Sequence, residues 1–260
     1  MGRVRIWIPF VVYALIQLAL LGLVYLGTRP PFVDFFRGPM NFVVPAGFFH
    51  YPTQFLTLPF VFYRLLIPLG AVGESLLMAA ATWIFMRHFQ SRALPGLGQA
   101  LGDVRFGFLQ FILFWILGAG LLFGWQFVFQ ATLGDMWVGF GKRRLALQMG
   151  NELMKVIFNG LLAYSTVIII AERSSLWGTL LRSLRTFGRH ATATIAFVAL
   201  SSLLLFPTQY LIYNAGSWLG RFNPEVIVLV LVANVIVGSL SAFLVAGVLT
   251  LWYLLNRQPI

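Results

Sequence analysis

Residues 226–255 read VIVLVLVANVIVGSLSAFLVAGVLTLWYLL, thirty residues without one charged side chain. A helix crosses a hydrocarbon core about 30 Å thick in roughly 20 apolar residues, so this stretch predicts a membrane span. At about 1.5 Å per residue it reaches about 45 Å. That exceeds the lipid core, so the helix has to tilt, bend or protrude; Gly238 and Gly247 are the expected flex points. Working outward, five more windows have the same character: Ile6 to Leu26, Leu65 to Met86, Phe108 to Phe129, Leu153 to Ala171 and Ala191 to Tyr213. The first follows Arg3 and Arg5 as a signal peptide would, but its apolar run is too long and no A-x-A-like site follows, so it reads as a retained anchor. Spanning helices satisfy their own backbone groups in lipid, which an open sheet cannot do. The predicted class is all-α: a polytopic membrane protein of about six transmembrane helices with one or two interfacial amphipathic helices, forming a single integral membrane domain over residues 1–260.

Composition agrees. Apolar residues make up 60% of the chain, against 18 Lys+Arg and 7 Asp+Glu, far from the roughly 25% charge of a soluble domain. The absence of cysteine excludes disulfides, a thiolate nucleophile, Cys-ligated zinc or iron–sulfur sites and c-type haem attachment. With a cytoplasmic N-terminus, Arg3, Arg5, Arg87, Arg92, Arg105, Arg173, Arg182, Arg185, Arg189 and Arg257 fall on one side. Arg29, Arg37, Arg64, Lys142, Arg143, Arg144, Lys155 and Arg221 fall on the other. The first group is the larger, which sets an N-in, C-in expectation in a bacterial-type cytoplasmic (inner) membrane; the Lys142-Arg143-Arg144 run opposes it. The net charge of +11 suits anionic lipid headgroups. Scattered over several loops instead of one stripe, it argues against nucleic acid.

Residues 173–189 are too short and charged to span, yet they have a helical period. Leu176, Trp177, Leu180, Leu181, Leu184 and Phe187 share one face; Arg182, Arg185 and Arg189 with Ser175, Thr179 and Ser183 share the other. Aromatic and aliphatic residues opposite a cationic face mark a helix lying in the headgroup plane. A shift of 83 residues lays Ser91 to Phe123 over Ser174 to Phe206 with nine of 33 positions identical, mostly Leu and Phe. The shared order of span, short amphipathic stretch and span suggests a parallel repeat of 65–129 and 153–213. The stretch 171–190, AERSSLWGTLLRSLRTFGRH, running into an apolar span, resembles the middle of several uncharacterised six-helix bacterial membrane protein families, including the membrane domain attached to some glycerophosphodiester phosphodiesterases. The resemblance covers residues 65–255 as architecture and about 35 residues as motif. It implies a fold and carries over no catalytic residue. Such proteins often have a Pro-Gly pair between the third and fourth spans, where this chain has Gln130-Ala-Thr-Leu-Gly-Asp135.

The connection from Thr28 to Pro59 holds Pro30, Pro31, Pro39, Pro45, Pro52 and Pro59 among Phe32, Phe35, Phe36, Phe42, Phe48, Phe49, Tyr51 and Phe55. Proline at this density prevents a long helix, and so many aromatics form a large apolar patch in water. The segment is expected in the interfacial aromatic belt or against another protein.

Ionisable groups inside a span are costly and mark candidate sites. Glu74 is the clear case. Asn159 and Asn234 are expected at similar depth, with Lys155 slightly above, which makes these four a hypothetical substrate or ion cluster or, more simply, interhelical glue. Asn234, Gly238, Ala242 and Ala246 form a small-residue stripe on the sixth span, and Gly120 with Gly124 a G-x-x-x-G on the third; both are read as helix packing before oligomerisation. Signals for an enzyme are thin. His50, His88 and His190 have no metal-ligand spacing, and His88 with His190 reads as interfacial instead of as axial haem ligation. Gly73-Glu-Ser75-Leu-Leu77 lacks the last glycine of G-x-S-x-G, Gly96 to Gly102 lacks the strand and G-K-[ST] of a phosphate loop, and the acids are dispersed. No cofactor or metal is expected. The resulting expectation is a non-enzymatic structural or accessory subunit whose partners are membrane lipids and other membrane protein subunits. The alternative is a small permease subunit working with a partner ATPase, or a lipid or small-solute carrier; the E-A-A coupling sequence is missing.

Overall fold

The computed structural model describes residues 2–29, 32, 51, 53–133, 142–215 and 223–256. Most of the proline- and aromatic-rich connection and the side chains of Lys142, Arg143 and Arg144 lie outside the described residues. Among those described, all regular structure is helical. Six helical stretches are long and apolar enough to cross a membrane: Ile8–Leu26, Gln54–Phe89, Leu97–Phe129, Met149–Glu172, Ala191–Ile212 and Val226–Asn256, the first to sixth spans. The chain is an all-α polytopic membrane protein.

Three spans begin earlier than their hydropathy windows; the third does so by taking in the short helix Leu97–Val104 ahead of Phe108. The second starts at Gln54, with Pro59 and Pro68 inside the helix Thr53–Leu69, so proline does not end this helix as expected. Pro68 has no N–H to give its own turn, and after Leu69 the five residues Gly70–Glu74 widen into a π-helical turn before the helix resumes at Ser75–Phe89. The Ser75 hydroxyl donates to the Ala71 carbonyl there at 2.6 Å. The fourth span starts at Met149, since Glu152 and Lys155 pair one turn apart at 2.6 Å and enter the span together. It is interrupted at Ala163-Tyr164, between the helices Lys142–Leu162 and Ser165–Glu172. Carbonyls freed there find hydroxyls: Ser165 donates to Leu162 O at 2.7 Å and Ser183 to Leu161 O at 2.8 Å.

The sixth span is one unbroken helix. Gly247 is a packing residue in it and no flex point: a Cβ would lie 3.1 Å from the Phe85 ring. This span packs on the first, second and fifth; the second span packs also on the first, third and fourth, and the fourth on the third and fifth. Leu21, Val24, Phe55, Phe62, Ile227 and Leu231 close one end of the 1-2-6 interface, and Ile6, Phe10, Phe85 and Ala246 the other. Buried apolar area of this kind offers little net gain against lipid tails, so close packing and interhelical hydrogen bonds hold the bundle.

One end of the bundle gathers the arginines. Arg5 donates to Leu94 O at 2.9 Å, the Tyr253 hydroxyl bonds the Glu172 carboxylate, and the His190 ring stands edge-on to Trp252. The second and fourth spans both leave this end through a left-handed residue, Ser91 (φ 53°) and Arg173 (φ 48°). Each exit leads through a short extended segment to a short helix: Leu97–Val104, where the third span begins, or Leu176–Arg189, which precedes the fifth. The two exits are 82 residues apart, one off the shift that aligns the sequence halves.

Candidate functional site: an intramembrane carboxyl and the arginine end

Glu74 closes the π-helical turn of the second span. Its Oε2 receives two hydrogen bonds from neighbouring spans: the Tyr13 hydroxyl donates at 3.2 Å and the Trp115 indole N–H at 3.3 Å. Gly70 makes the approach of Trp115 possible, because a Cβ at that position would sit 2.6 Å from Trp115 Cζ2 and 3.3 Å from Glu74 Oε2. The first three spans are thus pinned together around one carboxyl. π-Helical turns recur at functional sites, and this one supplies the widened turn that carries Glu74.

The structure does not bring together the polar residues expected to converge. Asn234 lies in a separate cluster, its Oδ1 2.8 Å from the Thr208 hydroxyl and its Nδ2 donating to the Tyr63 hydroxyl at 3.0 Å. Asn159 is exposed on the fourth span. Lys155 pairs with Glu152. Equal depth in the membrane does not fix azimuth: the helix Lys142–Leu162, which carries Asn159, packs on the third and fifth spans, away from Glu74. Tyr13 and Trp115 were missed because no local spacing connects three helices. The available signal was that a carboxyl in lipid must have a partner and that the first span and the helix Phe108–Leu133, which carry no charge, offer only neutral donors.

The small-residue stripes also separate. Ala242 and Ala246 pack with Phe10 and Phe85, and a Cβ on Gly238 would be 3.8 Å from Leu205. Gly120 and Gly124 have nothing within 4 Å, so their G-x-x-x-G does not pack within the described bundle.

The Leu176–Arg189 helix has three sectors, where two faces were expected. Thr179 and Ser183 are fully buried and face the bundle: Ser183 caps the broken fourth span, and Thr179 lies 2.7 Å from the Ser174 hydroxyl. These small hydroxyl residues permit close approach and satisfy polar groups, which a reading of polar as outward cannot anticipate. Phe187 joins them, its ring occupying the space a Gly160 side chain would need, and Leu180 packs beside Ile169 and Ile170. Leu176, Trp177, Leu181 and Leu184 are exposed, as are Arg185 and Arg189. Arg182 forms an ion pair with Glu172, which also accepts from Tyr253. Ser175 caps the helix by accepting from Gly178 N.

Among the described residues, no group of three or more His, Asp or Glu side chains is placed to hold a metal ion. Comparison with family models, curated proteins and solved structures yielded no match.

Proposed function

We propose that this integral membrane protein is a non-enzymatic accessory subunit of a membrane-protein assembly in a bacterial-type cytoplasmic membrane, with both termini on the cytoplasmic side. The observation that carries the reading is the fixed presentation of the Leu176–Arg189 helix. It is tied to the bundle by Ser183, by the Arg182–Glu172 pair and by Phe187 against Gly160. That leaves Arg185 and Arg189 beside the exposed Trp177, Leu181 and Leu184. A preorganised cationic and apolar edge binds an acidic membrane-bound partner at a lower ordering cost than a mobile loop would. The test is extraction into lipid nanodiscs followed by mass spectrometry of the wild type and of the Arg185→Glu/Arg189→Glu variant. A stoichiometric subunit present in the first and lost from the second supports the reading; a wild-type chain isolated without any stoichiometric companion overturns it.

The second reading is a small permease subunit or carrier. It is favoured by two interrupted spans, with the π turn at Glu74 and the break at Ala163-Tyr164, since interrupted helices build solute sites in transporters. A nucleotide-binding protein in the same purification would favour it.

A further inference from the structure

Glu74 lies well inside the second span, and the elements around it supply no cation. The first span, the helix Phe108–Leu133 and the sixth span contain no charged residue. On the fourth span, Glu152 pairs with Lys155, and Glu172 is engaged at the arginine end by Arg182 and Tyr253. On the second span itself, Arg64 stacks on Phe60 and Arg87 on Trp83. The titratable group that meets Glu74 is the Tyr13 hydroxyl, which also interacts with Gln17 one turn along. An ionised carboxylate without a counter-ion is strongly disfavoured in lipid.

The hydrogen bonds are compatible with the neutral acid, which the missing counter-ion favours. Both donors converge on Oε2, as they would on a carbonyl oxygen, whose two lone pairs accept two bonds. Oε1 has no donor among the described residues, and Glu74 is only half-buried, so Oε1 is the oxygen that can carry a proton. We propose that Glu74 is a proton-binding site within the bundle, anchored through Oε2 by Tyr13 and Trp115 and holding an exchangeable proton on Oε1. This is a site beyond the accessory role proposed above, and it stands or falls separately.

The test uses the full chain in lipid vesicles. Infrared difference spectra of wild type minus Glu74→Gln at neutral pH should show the C=O stretch of a carboxylic acid, moving to lower frequency in D2O. Carboxylate bands in its place, or an acid band unmoved by D2O, overturn the proposal. Tyr13→Phe removes one bond to the carbonyl oxygen and should raise the frequency of the acid band; an unchanged band refutes the anchoring. Dicyclohexylcarbodiimide supplies a second readout on wild type alone. The acid proton passes to a carbodiimide nitrogen while the carboxyl oxygen bonds to the central carbon, and acyl migration then gives a stable N-acylurea with no atom lost. The peptide containing Glu74 should gain the mass of one carbodiimide. A sample that shows the acid band but forms no adduct at Glu74 overturns the accessible Oε1. Should Glu74→Gln fail to accumulate, 13C-glutamate labelling of the wild type assigns the acid band to glutamate, and the adduct map picks out Glu74 from Glu152, Glu172 and Glu225.

Discussion

Replacing Gly70 by alanine tests whether the contact between the π turn and the third span is as close as the structure shows. The new Cβ would lie 2.6 Å from Trp115 Cζ2, whereas carbon atoms rest at about 3.5–4.0 Å, so the indole has to retreat by about 1 Å. Its N–H already reaches Glu74 over 3.3 Å, near the outer limit for such a bond, and the retreat breaks it. Overpacking of this kind costs about 1–3 kcal/mol, and an interhelical hydrogen bond in a membrane protein is worth about 0.6 kcal/mol. Against these stands the helix preference of alanine over glycine, about 1 kcal/mol. The expected net effect is a loss of about 1–2 kcal/mol. Gly120→Ala is the matched control: nothing lies within 4 Å of its Cβ position, so only the propensity gain of up to about 1 kcal/mol remains. Unfolding of both variants by sodium dodecyl sulfate in mixed micelles, followed by tryptophan fluorescence, should move their midpoints in opposite directions. If Gly70→Ala is stabilised by the same increment as Gly120→Ala, the close approach of Trp115 is wrong.

Three other substitutions probe the remaining polar contacts. Ser183→Ala leaves the Leu161 carbonyl at the fourth-span break without its hydroxyl donor; a loss of about 1 kcal/mol is expected, with faster hydrogen exchange in the Leu176–Arg189 helix. Asn234→Ala removes contacts to Thr208 and Tyr63 and should cost about 0.6–1.7 kcal/mol, and its combination with Thr208→Val should cost less than the sum of the two in a double-mutant cycle. Arg182→Ala breaks a pair whose arginine is nearly half exposed, so the stability change should stay below about 1 kcal/mol and shrink as salt is raised in the same unfolding assay.

The spans were legible because charge-free runs of about 20 residues have few alternatives in lipid. Their edges were not. Pro59 read as a breaker, yet it lies inside the helix Thr53–Leu69, and Pro68 is followed by a π turn whose Ala71 carbonyl takes the Ser75 hydroxyl. Lys155 read as lying just above the polar cluster, yet it and Glu152 neutralise each other one turn apart, and the span reaches back to Met149. At the surface helix the period was right and the sectors were wrong, because Thr179 and Ser183 turn inward. Of the candidate site, composition gave Glu74 and nothing more: a helical period fixes which face a residue occupies on its own helix, while the neighbour that face meets depends on the packing order of all six.

Six helices threading the lipid place the arginine end wholly on one side of the membrane. The chain has no cysteine, so single-cysteine variants can be read without background. Arg92→Cys, Arg189→Cys and Asn256→Cys should react with a membrane-impermeant maleimide in inside-out vesicles and be shielded in right-side-out ones, with Arg29→Cys and Asn223→Cys showing the reverse. Labelling of Arg92→Cys and Asn256→Cys from opposite sides, or of Arg29→Cys from the same side as Arg189→Cys, would contradict it.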